Sequence, residues 1–291
     1  MGIRLSARAA LIALTLGLSA CATTAAPSVP TTPIEEPPPA PVAHFPPGSL
    51  YVAMGSSFAS GPGVMHSAEG SPPRCGRSND NYAHQLARQR QFLLADVTCG
   101  GATTRFLLGP WEELPAQLDA VSADTRLVTI TIGGNDLGYM SGLFRASCAQ
   151  PPCPAIAAPS EQAYADLAAR MDQIVAAIRT RAPETRIVFV DYPHVLPMQG
   201  VCAATPMTEA DANAAREIAR RLIAITADVA TRNNTDLLQA SRLSEGHDAC
   251  AAAEAWMNGS TNPTPIDGVA YHLKLVGMTA IADALHAMLP R

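Results

Sequence analysis

The run Tyr51-Val52-Ala53-Met54-Gly55-Ser56-Ser57-Phe58-Ala59-Ser60-Gly61-Pro62-Gly63 decides the fold. An apolar, β-prone segment passes without a break into small residues, which predicts a strand ending in a tight turn, with Gly55 and Gly61 supplying the backbone freedom. That turn lies at the carboxyl end of a strand, where open α/β sheets bind their ligands. Ser56 and Ser57 are placed there.

Downstream, short β-branched runs alternate with longer stretches of helical periodicity, the signature of a parallel sheet covered by helices on both faces. Strands are expected at residues 49–54, 94–98, 127–132, 186–191 and 236–239. Tyr164, Leu167, Met171, Ile174, Val175 and Ile178 recur at helical spacing between Ser160 as cap and Pro183 as stop. A second helix is expected from about residue 208 to 231, opened by Thr208 and Asp211 in a capping pattern, and a last one from about 273 to 288. With no internal repeat, residues 48–291 read as one α/β domain, a three-layer α/β/α sandwich around a mostly parallel five-stranded sheet.

Two segments precede it. Residues 1–21 read as an export signal, because Arg4 and Arg8 stand before an apolar run too short for an ordinary membrane span. Its end, Leu18-Ser19-Ala20-Cys21, resembles the lipobox of bacterial lipoproteins, which implies acylation of Cys21 and attachment to a membrane. Ala22 in place of an aspartate implies the outer membrane in a two-membrane bacterium. Without lipidation the chain would be secreted. Residues 22–47 are rich in proline and poor in large apolar groups, so they are expected to form an extended tether.

Composition narrows the possible functions. The chain has 291 residues, 48% hydrophobic and 15% charged, with a formal charge of -5, so it carries no basic footprint for nucleic acid. Lys274 is the one lysine, leaving a single candidate for Schiff-base chemistry. Of seven cysteines, the six beyond Cys21 (Cys75, Cys99, Cys148, Cys153, Cys202 and Cys250) suggest three disulfides in an exported chain, with the pairing left open by spacing. Zinc spacings are missing, so neither a metal nor a cofactor is implied.

Three further segments join the first. Asp96-Val97-Thr98-Cys99-Gly100-Gly101-Ala102-Thr103-Thr104 and Thr129-Ile130-Thr131-Ile132-Gly133-Gly134-Asn135-Asp136 again set glycines at strand ends, and the second adds a carboxamide. Glycine-freed N–H groups and an Asn amide can donate to the oxyanion of a tetrahedral intermediate. Asn135 taken singly is equally suited to capping a helix. The fourth segment, Asp267-Gly268-Val269-Ala270-Tyr271-His272, puts a histidine before the last helix, with His194 and His247 as competitors among the seven histidines. The serine turn is not the Gly-x-Ser-x-Gly nucleophile elbow, since Ala59 stands where that motif needs glycine.

In this order the four segments resemble the SGNH (GDSL-type) hydrolase family from about residue 50 to the end, and are most similar to its secreted, disulfide-containing lipases and esterases. The resemblance implies the family's flavodoxin-like sheet and a carboxylic ester hydrolase with Ser57 as nucleophile and His272 as general base. The oxyanion hole would be formed by the N–H groups of Ser57 and Gly101 and the amide of Asn135. It also implies pairing of Cys75 with Cys99, Cys148 with Cys153 and Cys202 with Cys250. Two positions depart from the pattern. The family's aspartate before the nucleophile is Ser56 here, and its acid three residues before the histidine is Val269. The Val269 carbonyl is therefore the expected orienter of His272, with the Asp267 carboxylate as alternative.

The expected partner is a small-molecule or lipid ester bound by a monomer. The same residues would serve a deacetylase or acyltransferase on cell-envelope carbohydrate, and Ser56 with Val269 leaves room for a non-catalytic ligand-binding lipoprotein. Residues 142–159, with a close cysteine pair and several prolines, are where loops that shape the substrate site are expected.

Overall fold

The computed structural model describes residues 44–261, 264 and 266–290. The export signal, Cys21 and most of the tether lie outside the described residues.

In chain order the elements are β1 (Leu50–Gly55), α1 (Ser57–Ser60), α2 (Tyr82–Arg90), β2 (Leu93–Asp96), α3 (Thr104–Leu108), β3 (Thr125–Thr131) and α4 (Tyr139–Ala146). They continue with α5 (Glu161–Arg181), β4 (Arg186–Val190), α6 (Glu209–Arg232), β5 (Asp236–Leu238), α7 (Ala240–Leu243) and α8 (Leu275–Met288). The five strands form one parallel sheet in the order β2-β1-β3-β4-β5. The chain steps from β1 out to β2, crosses back over β1 to β3, and then moves outward through β4 and β5. Right-handed crossovers in opposite directions put the helices on opposite faces. Accordingly α2 packs with α8, while α5 packs with α3 and α6. The reversal falls between β1 and β3, which opens a crevice at their carboxyl ends.

The three inner strands are apolar on both sides, as a sheet covered by two helical layers requires. In β3 all but Arg126 is buried, and two of its three buried threonines are satisfied by tyrosines, Thr129 by Tyr51 at 2.7 Å and Thr131 by Tyr82 at 2.9 Å. The long helices start as their caps dictate. Ser160 Oγ accepts the Ala163 N–H at the head of α5, and Thr208 Oγ1 accepts the Asp211 N–H at the head of α6. The spaced residues from Tyr164 to Ile178 are the buried face of α5.

Packing begins earlier than expected. Phe45, inside the segment assigned to the tether, is buried against Phe92 with ring centroids 6.1 Å apart, and Ser49 hydrogen-bonds back to the Pro46 carbonyl. A lone phenylalanine among prolines has nothing to gain from solvent, so it joins the core, three residues before the expected start of the domain.

Three disulfides join Cys75 to Cys99, Cys148 to Cys153 and Cys202 to Cys250, the pairing implied by the resemblance. The first spans 24 residues, and closing such a loop restricts the unfolded chain by about 3 kcal/mol in the chain-entropy model.

Candidate active site

The serine turn is built by the close approach of β1 and β3. Gly55 has φ of 139°, and a Cβ there would collide with the Thr131 carbonyl, so only glycine lets the two strand ends lie this close. Its N–H and C=O are both taken by the Gln117 carboxamide, at 2.7 and 2.9 Å, in the manner of a neighbouring strand. The Ser56 N–H then donates to Thr131 O at 2.9 Å. Thus fixed, the backbone turns at Ser56 into α1, and Ser57 occupies the first helical position.

His272 arrives from the other end of the chain. Its loop is sewn to its neighbours by Gly268 N–H to Gly63 O, Tyr271 N–H to Gly259 O and Asn258 N–H to His272 O. Tyr271 holds a left-handed φ of 55°, an uncommon conformation for an aromatic residue, immediately before the histidine. The outcome is a hydrogen bond of 2.7 Å between His272 Nε2 and Ser57 Oγ, made between two buried residues 215 positions apart.

On the other side of the ring, Nδ1 lies 2.7 Å from the Ala270 carbonyl. A carbonyl can only accept, so Nδ1 carries the proton and the bare Nε2 accepts the Ser57 hydroxyl proton. The orienting carbonyl is thus one residue along from Val269. The Val269 oxygen instead accepts the backbone N–H of His272, because the left-handed Tyr271 closes the turn that way. The Asp267 carboxylate is also engaged elsewhere, accepting the Leu275 N–H at 2.6 Å, where it caps α8. A negative group suits the positive end of that helix.

Among the described residues no carboxylate supports the ring, and burial dominates its basicity. Loss of solvation lowers the His272 pKa from 6.5 to about 4, against a smaller upward pull from the Ala270 carbonyl. The free imidazole is neutral above that value and can accept a proton; below it the ring is already protonated. The acid limb of kcat/KM is accordingly expected near pH 4, and a profile on an acid-stable ester checks it. A limb at 6.5 would mean that the ring cation has a partner.

The glycine loop and the Asn135 turn are fastened to each other. Gly101 has φ of 81° and follows Gly100, whose N–H donates to the Cys75 carbonyl, so the first disulfide anchors this loop on both sides. Asn135 Nδ2 donates to Ala102 O at 3.0 Å, leaving its second amide proton free to point elsewhere. Asp136, buried, accepts the Thr104 N–H and hydroxyl and lies 3.7 Å from Arg170. Neither the Ser57 nor the Gly101 N–H donates to an acceptor among the described residues.

Around this pair the walls are apolar. Phe58 packs on the His272 ring with centroids 5.1 Å apart, and Phe144 of α4 stacks on the same ring at 6.4 Å. The competing histidines are elsewhere. His247 stacks on Trp256 and bonds to the Glu254 carbonyl, while His194 lines a separate cavity of about 330 Å³ that none of Ser57, Asn135 and His272 reaches.

A serine hydroxyl paired with a neutral imidazole at the switch point of an open parallel sheet places the chain in a class, the carboxylic ester hydrolases built on an α/β sheet. Within it, the chain belongs to the GDSL-like lipase/acylhydrolase family, whose sequence model matches residues 53–280. A lipase from Streptomyces rimosus is 32% identical over 216 residues, covering 73% of this chain and 77% of that one. Lipase 2 of Streptomyces coelicolor is 30% identical over 219 residues, covering 69% and 73%. Among solved structures, phospholipase A1 from Streptomyces albidoflavus NA297 superposes with a TM-score of 0.68 at 25% identity, covering 82% of this chain and 99% of that one.

The structure brings Ser57 and His272 into contact and ties the Gly101 loop to Asn135. Two participants were not foreseen: the Ala270 carbonyl, and Tyr192, which follows β4 and contacts Ser56. Only the position of Tyr192 at a strand's carboxyl end hinted at the latter.

Proposed function

We propose that this protein is an exported serine esterase of the lipase type that works through an acyl-enzyme on Ser57. The observation that carries this is the 2.7 Å hydrogen bond between Ser57 Oγ and His272 Nε2. As Ser57 Oγ bonds to the acyl carbon, Nε2 takes its proton and the carbonyl electrons move to oxygen, where the N–H groups of Ser57 and Gly101 and the Asn135 amide receive them. The imidazolium then gives the proton to the departing alcohol oxygen as the C–O bond breaks. Water, deprotonated by the same nitrogen, releases the acid and restores the hydroxyl.

The named relatives are lipases and a phospholipase, and the apolar surroundings of the pair suit an acyl chain. Phe144, Val269, Met65 and Ile266 are all exposed, and Met65 is bonded to the Ile266 carbonyl beside the His272 loop. Three disulfides favour an oxidising compartment outside the cytoplasm, and Cys21 is the proposed point of lipid attachment.

The test is hydrolysis of p-nitrophenyl esters of rising chain length beside acetylated glycans, with a fluorophosphonate mapped by mass spectrometry. Stoichiometric labelling of Ser57 and turnover that favours the acyl esters are expected. Label on another serine, or turnover confined to the glycans, would overturn the nucleophile or the substrate class respectively. Release of the protein from the membrane fraction by Cys21→Ala checks the anchor.

A further inference from the structure

Position 56 carries a serine where the family pattern has an aspartate, and the structure shows what that serine does. Ser56 is completely buried, and its Oγ lies 3.0 Å from the hydroxyl of Tyr192. The same hydroxyl accepts the Gly134 N–H at 3.1 Å. Gly134 is the residue before Asn135, and a Cβ there would sit 2.8 Å from the Tyr192 ring, so the backbone lies flat against the ring because it has no side chain. The Tyr192 ring also packs on Phe58, with centroids 4.7 Å apart, and Phe58 in turn packs on His272. One side chain thus touches the residue before the nucleophile, the residue after it and the residue before the carboxamide.

We propose that Tyr192 is a positioning residue for catalysis: its hydroxyl clamps the Ser56 turn to the Gly134–Asn135 turn. This rests on the roles given above to Ser57, His272 and Asn135. The enclosed phenol keeps its proton throughout, so Tyr192 passes none to the substrate. It works by holding two backbone turns in register. Ser57 N–H and Asn135 Nδ2 stand in turns that follow different strands, β1 and β3, and their separation depends on how those turns are tied together. Oxyanion donors are effective when they need not move as charge develops, and a hydrogen-bonded clamp between their supports supplies that stillness. A serine and a phenol achieve it without adding a negative charge to the turn whose amide must face the oxyanion.

Tyr192→Phe keeps the ring and its packing and removes one oxygen. With p-nitrophenyl butyrate, kcat is expected to fall about 10-fold while KM stays within about 2-fold, the pattern of an interaction felt in the transition state. The inhibition constant of butylboronic acid, a tetrahedral mimic, should rise by a similar factor. Ser56→Ala should give a smaller change of the same kind, and the double variant should be no worse than Tyr192→Phe, because the hydrogen bond that Ser56→Ala removes is already one of the two lost in Tyr192→Phe. Unchanged kcat and boronate binding with a lowered Tm would overturn the proposal, leaving Tyr192 a packing residue. Should Tyr192→Phe fail to fold, Ser56→Ala decides by the same two readouts. The parent assignment fails differently, by wild-type protein showing no hydrolysis that Ser57→Ala abolishes.

Discussion

Ser57→Ala and His272→Ala are each expected to lower kcat on a short-chain ester by about 10⁴-fold or more, and the double variant is expected to be scarcely worse than either. The hydroxyl has no useful nucleophilicity until its proton can leave, and Nε2, at 2.7 Å, is the acceptor that the geometry offers. Removing either partner removes the same step. What survives is binding together with the oxyanion donors, and that remainder sets the floor common to all three variants. Saturating initial rates, with Tm compared so that unfolding is not mistaken for lost chemistry, provide the measurement. Effects that multiply in the double variant would show that the two groups serve different steps.

Asn135→Ala is expected to lower kcat by about 10²–10³-fold with little change in KM, the usual effect of deleting one oxyanion donor. One amide proton of Asn135 is spent on Ala102 O, which holds the side chain still and aims the other. Asn135→Asp should be at least as damaging, since the carboxylate keeps the shape, donates nothing and repels the developing charge. Tighter or unaltered boronate binding in either variant would remove Asn135 from the oxyanion hole, and a loss confined to KM would make it a ground-state contact.

Most of this architecture was legible because the strands that matter announce themselves. β1 and β3 are apolar on both faces and end in glycine, serine or asparagine, so periodicity and turn chemistry agree on where the chain must bend. β2 and β5 are sheet edges, short and half-buried, with weaker patterns, and β2 duly sits a residue or two from its expected place. Caps fixed the starts of α5 and α6 because Ser160 and Thr208 act on backbone groups three residues away. The turn before His272 was misjudged by one carbonyl, since nothing local tells that Tyr271 will adopt a left-handed φ under the pressure of surrounding hydrogen bonds. Ser56 looked like a defect because its partner lies 136 residues away, and a long-range hydrogen bond leaves no mark on local sequence.

The 215 residues between hydroxyl and imidazole also govern when activity can begin. The Ser57 turn follows the first strand, but the proposed base, His272, stands just ahead of α8, which docks on α2. A ribosome-bound or C-terminally clipped polypeptide therefore owns the hydroxyl without the group that activates it. On the proposed mechanism the reacting pair is therefore complete only once the segment ahead of α8 has folded against the turn that follows β1.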